Sequence, residues 1–228
     1  MIMNYMVEIK NLCHSYQMGG KSLEIIRNLD FAVEKGKWCC IYGASGSGKT
    51  TLLNLLGTLE SPLSGSIVIN GQDVSKLSHK AAAAFRGKHI GFIFQSYHLI
   101  NELDVLENTI LAGAFGKLSS FQARQKAMEL LKAVGLEQRI HHHPAELSGG
   151  ERQRCAIARS LMNDPELILA DEPTGNLDEA TGKEILELFE SLREKNPDLT
   201  IVMITHNPDI TRLADLAFKL ENGKLICQ

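Results

Sequence analysis

No run of apolar residues in this 228-residue chain approaches the roughly 18–20 that cross a bilayer as a helix, so no membrane span is expected. The N-terminal stretch Met1-Ile2-Met3-Asn4-Tyr5 lacks the basic segment and long apolar core of a secretion signal, and the expected location is cytoplasmic. The five cysteines, Cys13, Cys39, Cys40, Cys155 and Cys227, are odd in number and form no C-x-x-C pair. That argues against a disulfide framework and fits scattered reduced thiols in a cytosolic protein. A basic excess is missing too: the net charge of −3 gives no general electrostatic reason to expect nucleic acid as a partner. There is no internal repeat, low-complexity tract or Pro/Ser-rich linker, so any division is into subdomains. With 44% hydrophobic and 22% charged residues, the chain has what a soluble globular core needs.

What is present starts with Gly43-Ala44-Ser45-Gly46-Ser47-Gly48-Lys49-Thr50, a match to G-x-x-x-x-G-K-[ST]. Upstream, Trp38-Cys39-Cys40-Ile41-Tyr42 reads as a buried strand, and downstream Thr51-Leu52-Leu53-Asn54-Leu55-Leu56 reads as a helix stopped at Gly57. Strand, glycine loop and helix start suit a polyphosphate. Glycines let successive N–H groups point inward, and the helix N-terminus adds about half a positive charge. Lys49 can reach the β- and γ-phosphates, and the Thr50 hydroxyl can join a Mg²⁺ shell. The stretch is therefore expected to bind a nucleoside triphosphate.

Ahead of this cradle, Val7-Glu8-Ile9-Lys10 and Glu24 to Leu29 are strand-like, with a turn at Met18-Gly19-Gly20-Lys21. Tyr16 could stack on a base, although taken alone it reads better as a half-buried strand tyrosine. Ser64 to Gly71 is a strand ending in an Asn-Gly turn, and His89 to Phe94 is another that delivers Gln95 at its carboxyl end, where ligands of open α/β sheets gather. From Asp104 to His143 the periodicity is helical. Ser119 and Gln122 fit a capping box, Phe121, Met128, Leu131 and Val134 fall on one face, and Gly135 ends the helix. His141-His142-His143 cannot easily converge on one ion, so a metal site is not expected there.

Leu147-Ser148-Gly149-Gly150-Glu151 then opens a helix running through Arg159. Its start is phosphate-friendly, but by itself it reads better as an N-cap. Leu167-Ile168-Leu169-Ala170 is a buried strand ending in Asp171-Glu172. In a phosphate-binding chain Asp171 can hold the Mg²⁺ shell and Glu172 can orient or deprotonate a water. After Asp178 and Glu179 a helix presents Ile185, Leu188, Phe189 and Leu192, and closes with Arg193 and Lys195. Thr200 to Thr205 is a β-branched core strand delivering His206, a residue placed to sense a γ-phosphate. Ala217 to Ile226 reads as a hairpin turning at Asn222-Gly223.

The cradle, Gln95, LSGGE, LILADE and His206, in this order over nearly the whole chain, resemble the ATP-binding subunits of ABC transporters. LSGGE is the discriminating part, because most proteins with such a cradle lack it. The resemblance implies an α/β P-loop NTPase fold: a RecA-like core sheet, an N-terminal antiparallel β subdomain and a helical subdomain at about 96–163. It implies ATP and Mg²⁺ as cofactors. Gly43, Ala44, Ser45, Gly46, Ser47, Gly48, Lys49, Thr50 and Thr51 would hold the phosphates, and Tyr16 would stack on adenine, which reverses the reading of that residue alone. Thr50, Gln95 and Asp171 would serve the metal, and Glu172 and His206 the hydrolysis. Ser148, Gly149 and Gly150 would reach the nucleotide of a second copy in a head-to-tail dimer, with Asp178 ending the loop between.

The stretches LLGTLE, GFIFQ, LSGGERQR and ADEPTGNLD resemble the LolD/MacB group in particular; Cys155 stands where its members usually carry an aliphatic residue. The expected role is the ATPase of a membrane export or lipoprotein-extraction complex, held at the cytoplasmic face of the inner membrane by a permease docking near Ser96 to Ile100, a stretch whose aromatic and apolar side chains suit core packing equally. The alternative is an FtsE-like regulator of envelope or division machinery. DNA-repair and translation relatives carry coiled-coil insertions, zinc cysteines or two ATPase domains, and none of these is present.

Overall fold

The computed structural model describes residues 4–113 and 118–227. Met1–Met3, part of the N-terminal stretch read above, and the side chain of Cys227 lie outside what is described. In chain order the elements are β1 (Tyr5–Met18), β2 (Lys21–Glu34), β3 (Trp38–Tyr42), α1 (Lys49–Leu56), β4 (Ser64–Ile69), β5 (Gln72–Asp73), α2 (His79–His89), β6 (Ile90–Phe94), α3 (Val105–Gly113), α4 (Ser120–Ala133), α5 (Gly149–Ser160), β7 (Leu167–Asp171), α6 (Glu179–Lys195), β8 (Thr200–Thr205), β9 (Leu216–Glu221) and β10 (Lys224–Cys227). The chain divides into two units, residues 1–83 with 198–228, and residues 84–197.

The first unit holds an antiparallel sheet ordered β2-β1-β4-β5. β1 and β2 are longer than their apolar patterns suggest because Gly19 and Gly20, at φ 57° and 79°, supply the left-handed pair of a tight turn that twists with its strands. Met18 then pairs with Lys21 directly across the turn. Val7, Ile9, Leu12, Ile26, Leu29 and Val33 are buried from this sheet. A second run of strands is ordered β10-β9-β3-β8. Every residue of β8 is buried, as is Trp38 to Ile41 in β3, the continuous apolar pattern of strands covered on both faces. The β9–β10 hairpin turns at Asn222 and Gly223, φ 52° and 76°, as an Asn-Gly turn requires.

In the second unit β6 lies parallel to β7, and α5 packs on β6 and against α3, α4 and α6. His89, read above as part of the strand, closes α2 instead. That helix, HKAAAAFRGKH, carries alanines where an amphipathic pattern would carry larger apolar residues, so its period was faint.

The capping box of α4 is present as expected: Ser119 accepts from the Gln122 amide, and Gln122 accepts from the Ser119 amide. The apolar face read from the sequence is only half covered. Leu131 and Val134 are buried, but Phe121 is 71% exposed and Met128 45%, while Ala123 and Ala127 face inward. The small alanines let α4 approach α3 and α5 closely, and that close approach decides which stripe is covered. We expect Leu131→Ala to destabilise the chain by about 2–5 kcal/mol and Phe121→Ala by less than about 0.5 kcal/mol, read from denaturant midpoints. Equal losses would restore the face expected from periodicity.

Candidate functional site

Parallel pairing sets the positions of the functional residues. In the first unit β3 and β8 run in register from Trp38 opposite Ile201 to Tyr42 opposite Thr205. The residues that follow, Gly43 and His206, therefore leave neighbouring strands at the same carboxyl edge, with strands about 4.8 Å apart. In the second unit the register runs from Ile90 opposite Leu167 to Phe94 opposite Asp171, so Gln95 and Glu172 leave that pair side by side.

The loop after β3 is shaped around Lys49. Its side chain is buried, and its ammonium donates to the carbonyls of Gly43 (3.0 Å) and Ala44 (2.9 Å). Among the described residues it meets no carboxylate, so its charge is unbalanced inside its own loop. Gly48, the N-cap of α1, sits at φ 100° with the Ile25 methyl 2.7 Å from where a Cβ would stand, so only glycine serves there. A Cβ on Gly43 would meet the Leu220 carbonyl at 2.5 Å. The α1 N-terminus carries no side-chain cap and no acidic residue in its first turn. The Ser47 hydroxyl is buried with no partner among the described residues. Uncapped amides, an unbalanced ammonium and an orphan hydroxyl together fit an anionic oxygen ligand. Thr50 is exposed at this edge, and Thr51 lies 3.4 Å from the Tyr16 hydroxyl.

In the second unit, Glu172 follows β7 with a left-handed backbone, φ 44°, uncommon for a residue with a long side chain. The Gly175 amide donates to its carbonyl at 2.9 Å, closing the turn. Gln95 donates to the Asn176 side-chain oxygen (3.2 Å), and the Asn176 amide returns a bond to the Gln95 carbonyl (3.0 Å). Tyr97 and His98, at φ 59° and 49°, are held by the Arg159 guanidinium of α5, which donates to both carbonyls. The Arg152 guanidinium lies 5.4 Å from the Tyr97 ring centroid. The loop after Gln95, the start of α5 and the 176–177 segment therefore form one cluster. Asn176 and Arg159 had no role in the sequence reading, because a reciprocal amide pair across 81 residues leaves no local pattern.

Ser148 caps α5 in a full capping box: its hydroxyl accepts from the Glu151 amide (3.2 Å), and Glu151 accepts from the Ser148 amide (2.8 Å). The amides of Gly149 and Gly150 take no part in that box. A Cβ on Gly150 would stand 2.5 Å from a Thr181 methyl. The Ser148 amide bond, followed by the Ser148 hydroxyl and the Arg139 guanidinium at 2.9 Å, holds the Glu151 carboxyl below its usual 4.5 against the opposing effect of burial. Asp178 caps α6, and the Thr181 hydroxyl at 2.6 Å holds its carboxyl low. Burial pushes the Cys155 thiol up to about 11 and the Cys40 thiol to about 12, so both stay as inert protonated thiols. The three adjacent histidines diverge: His141 pairs with Asp104 (3.2 Å), His142 lies against Arg139 (3.1 Å), and His143 donates its amide to Glu146 (2.7 Å).

Residues 26–175 match the ABC transporter family. The chain is 46% identical to the lipoprotein-releasing system ATP-binding protein LolD 2 of Chlorobium chlorochromatii, over 96% of this chain and 93% of that one. It is 43% identical to an uncharacterized ABC transporter ATP-binding protein of Thermotoga maritima, over 98% and 94% of the two chains. Among solved structures it resembles the dimeric post-hydrolysis state of the ATP-binding cassette MJ0796 bound to ADP and Pi, at TM-score 0.89 and 38% identity over 96% of both chains.

A depressed carboxyl contributes stability that is complete above the unfolded value and lost as pH falls through the folded one. The stability difference between wild type and Glu151→Gln is therefore expected to be full above pH 4.5 and to shrink below it, by chemical denaturation at stepped pH. A difference that stays flat through that range would remove Glu151 from the cap of α5.

Proposed function

The chain belongs to the ABC transporter family, and from that premise we propose that it is the ATP-hydrolysing subunit of a membrane export or lipoprotein-extraction complex, worked by ATP-driven closure of a dimer. The observation that carries this reading is the buried Lys49 ammonium, held among the described residues by two carbonyls, beside a Ser47 hydroxyl with no partner among them, at an uncapped helix start. A polyphosphate satisfies all three at once. Lys49 would turn from the Gly43 and Ala44 carbonyls to phosphate oxygens, and the amides of Gly46 to Thr51 would take the remaining charge. The Tyr16 ring would stack on the base.

Mg²⁺ fits the oxygen donors on offer, and the Thr50 hydroxyl, the Gln95 amide oxygen and the Asp171 carboxylate would hold it. When bound, the ion neutralises charge developing on the phosphates. Glu172 would accept the proton of the attacking water; its left-handed backbone aims the carboxylate from the end of β7 in place of continuing the strand. His206 would read the γ-phosphate. Gln95 is joined to Asn176 by two hydrogen bonds, so a change at the metal would reach the loop that precedes Asp178 and α6.

The α5 start is a second phosphate-fit N-terminus. Ser148 with the amides of Gly149 and Gly150, which the capping box does not use, would meet the γ-phosphate held by a second copy, and that copy's α5 would return the contact. Nucleotide would then favour the closed pair and hydrolysis would release it. No helix among the described residues is long and apolar enough to cross a membrane. In this reading a permease at the cytoplasmic face would receive the motion. The loop at residues 96–100, leading into the helical region of about 96–163, is where that permease would dock. The 46% identity to a LolD protein supports lipoprotein extraction over other export roles.

Glu172→Gln is expected to keep ATP affinity, lose about 10²–10⁴-fold in hydrolysis and accumulate as a dimer in ATP, read by phosphate release and light scattering. Turnover at the wild-type rate would sink the assignment. Lys49→Ala is expected to weaken nucleotide binding by at least about tenfold in calorimetry; unchanged affinity would count against the cradle.

A further inference from the structure

Around Tyr16 and the turn that follows α1, the first unit contains a cavity of about 350 Å³ whose lining includes His14, Tyr16, Thr58, Glu60 and His79. Its wall contains a connected polar network. The Tyr16 hydroxyl donates to Glu60 Oε2 at 2.7 Å and lies 3.4 Å from the Thr51 hydroxyl. The second Glu60 oxygen, Oε1, accepts from Asn54 Nδ2 at 2.9 Å. The Asn54 carbonyl in turn accepts from the amides of Leu59 and Glu60, so Glu60 is tied to the C-terminal turn of α1 through both its side chain and its backbone amide. His14 Nε2 approaches Glu60 Oε2 at 3.2 Å, and its ring meets the Tyr16 ring edge to face at 5.0 Å.

Tyr16 needs such support. It sits near the tip of the β1–β2 hairpin, where Gln17 and residues 19–24 are exposed. A tyrosine in such a place has several staggered rotamers open to it, and a base arriving from solvent would have to select one. Burial first, then the Glu60 carboxylate, raise the Tyr16 phenol above 10 against an opposing effect of Thr51, so the hydroxyl keeps the proton it donates.

We propose that Glu60 is a positioning residue for the nucleotide base: by anchoring the Tyr16 hydroxyl to the end of α1, it fixes the aromatic ring in a single orientation relative to the phosphate cradle that begins the same helix. This rests on the reading of Tyr16 as the base-stacking residue. The same helix then sets both ends of the ligand: Lys49 and Thr50 at its start hold phosphates, and Thr51, Asn54 and the Glu60 that follows it hold the ring. Closure of the turn after α1 is the competing role for Glu60, and the two differ in what they affect. Turn closure supports the whole helix, and with it phosphate binding; ring positioning acts on the base alone.

The test is calorimetric titration of the full chain with ADP and with inorganic tripolyphosphate, which shares the phosphates and lacks the base. Glu60→Ala is expected to weaken ADP by about two- to tenfold, the range for ordering one side chain, and to leave tripolyphosphate unchanged. Tyr16→Phe, which keeps the ring and removes the hydroxyl, is expected to weaken ADP to the same extent, and the double variant no further. Glu60→Gln, which retains an acceptor oxygen, is expected to recover part of the loss. Glu60→Ala weakening both ligands equally, or neither, overturns the positioning role while leaving the stacking reading in place. ADP affinity unchanged in Tyr16→Leu overturns the stacking reading and the Glu60 role with it. Unchanged tripolyphosphate binding shows in each case that the variant is folded.

Discussion

A strand in a parallel pair hands on its chain only at its carboxyl end, and the chemistry of this protein depends on that constraint. Register places Tyr42 opposite Thr205 and Phe94 opposite Asp171. The cradle and His206 thus start together, and so do Gln95 and Glu172. Of the strands that do this, β3, β7 and β8 are buried along nearly their whole length, which makes the register hard to shift: a one-residue slip would move each functional residue by one strand step and reverse every buried face. Loops that follow can then be short and strained, as the left-handed Glu172, Tyr97 and His98 are, because the strands before them do not move.

Two helix N-termini carry the same partial charge and use it differently. That of α1 has no side-chain cap, and its first turn lies open beside a buried ammonium. That of α5 is closed by Ser148 and Glu151, which satisfies donors and leaves a carboxylate on its rim. An uncapped terminus with a lysine beside it suits a polyphosphate by itself. A capped one with an acid beside it is a weak anion site alone and gains its value when a γ-phosphate is brought to it already bound. In the proposed function, this asymmetry would be the physical reason for a site shared between two copies.

Much of this was legible in sequence where the signal is local. The cradle, both Asn-Gly turns, the capping box at Ser119 and the N-cap at Ser148 occupy a few consecutive residues whose backbone demands only certain side chains meet. The face of α4 was not legible, because periodicity marks an apolar stripe without showing what lies opposite, and Ala123 and Ala127 won burial from Phe121 and Met128. Nor were the supports of the functional residues. Glu60 meets Tyr16 across 44 residues, Asn176 meets Gln95 across 81 and Arg159 meets Tyr97 across 62, pairings that exist only once the sheets have formed.

The central claim is that one chain carries half of each nucleotide site and that the α5 start of a second copy completes it. Amide hydrogen exchange at Gly149–Arg152, with and without a non-hydrolysable ATP analogue over a range of protein concentrations, tests this most directly. The expected result is protection at the cradle on adding nucleotide, joined by protection at Gly149–Arg152 that grows with protein concentration. Protection of the cradle alone at every concentration would contradict it.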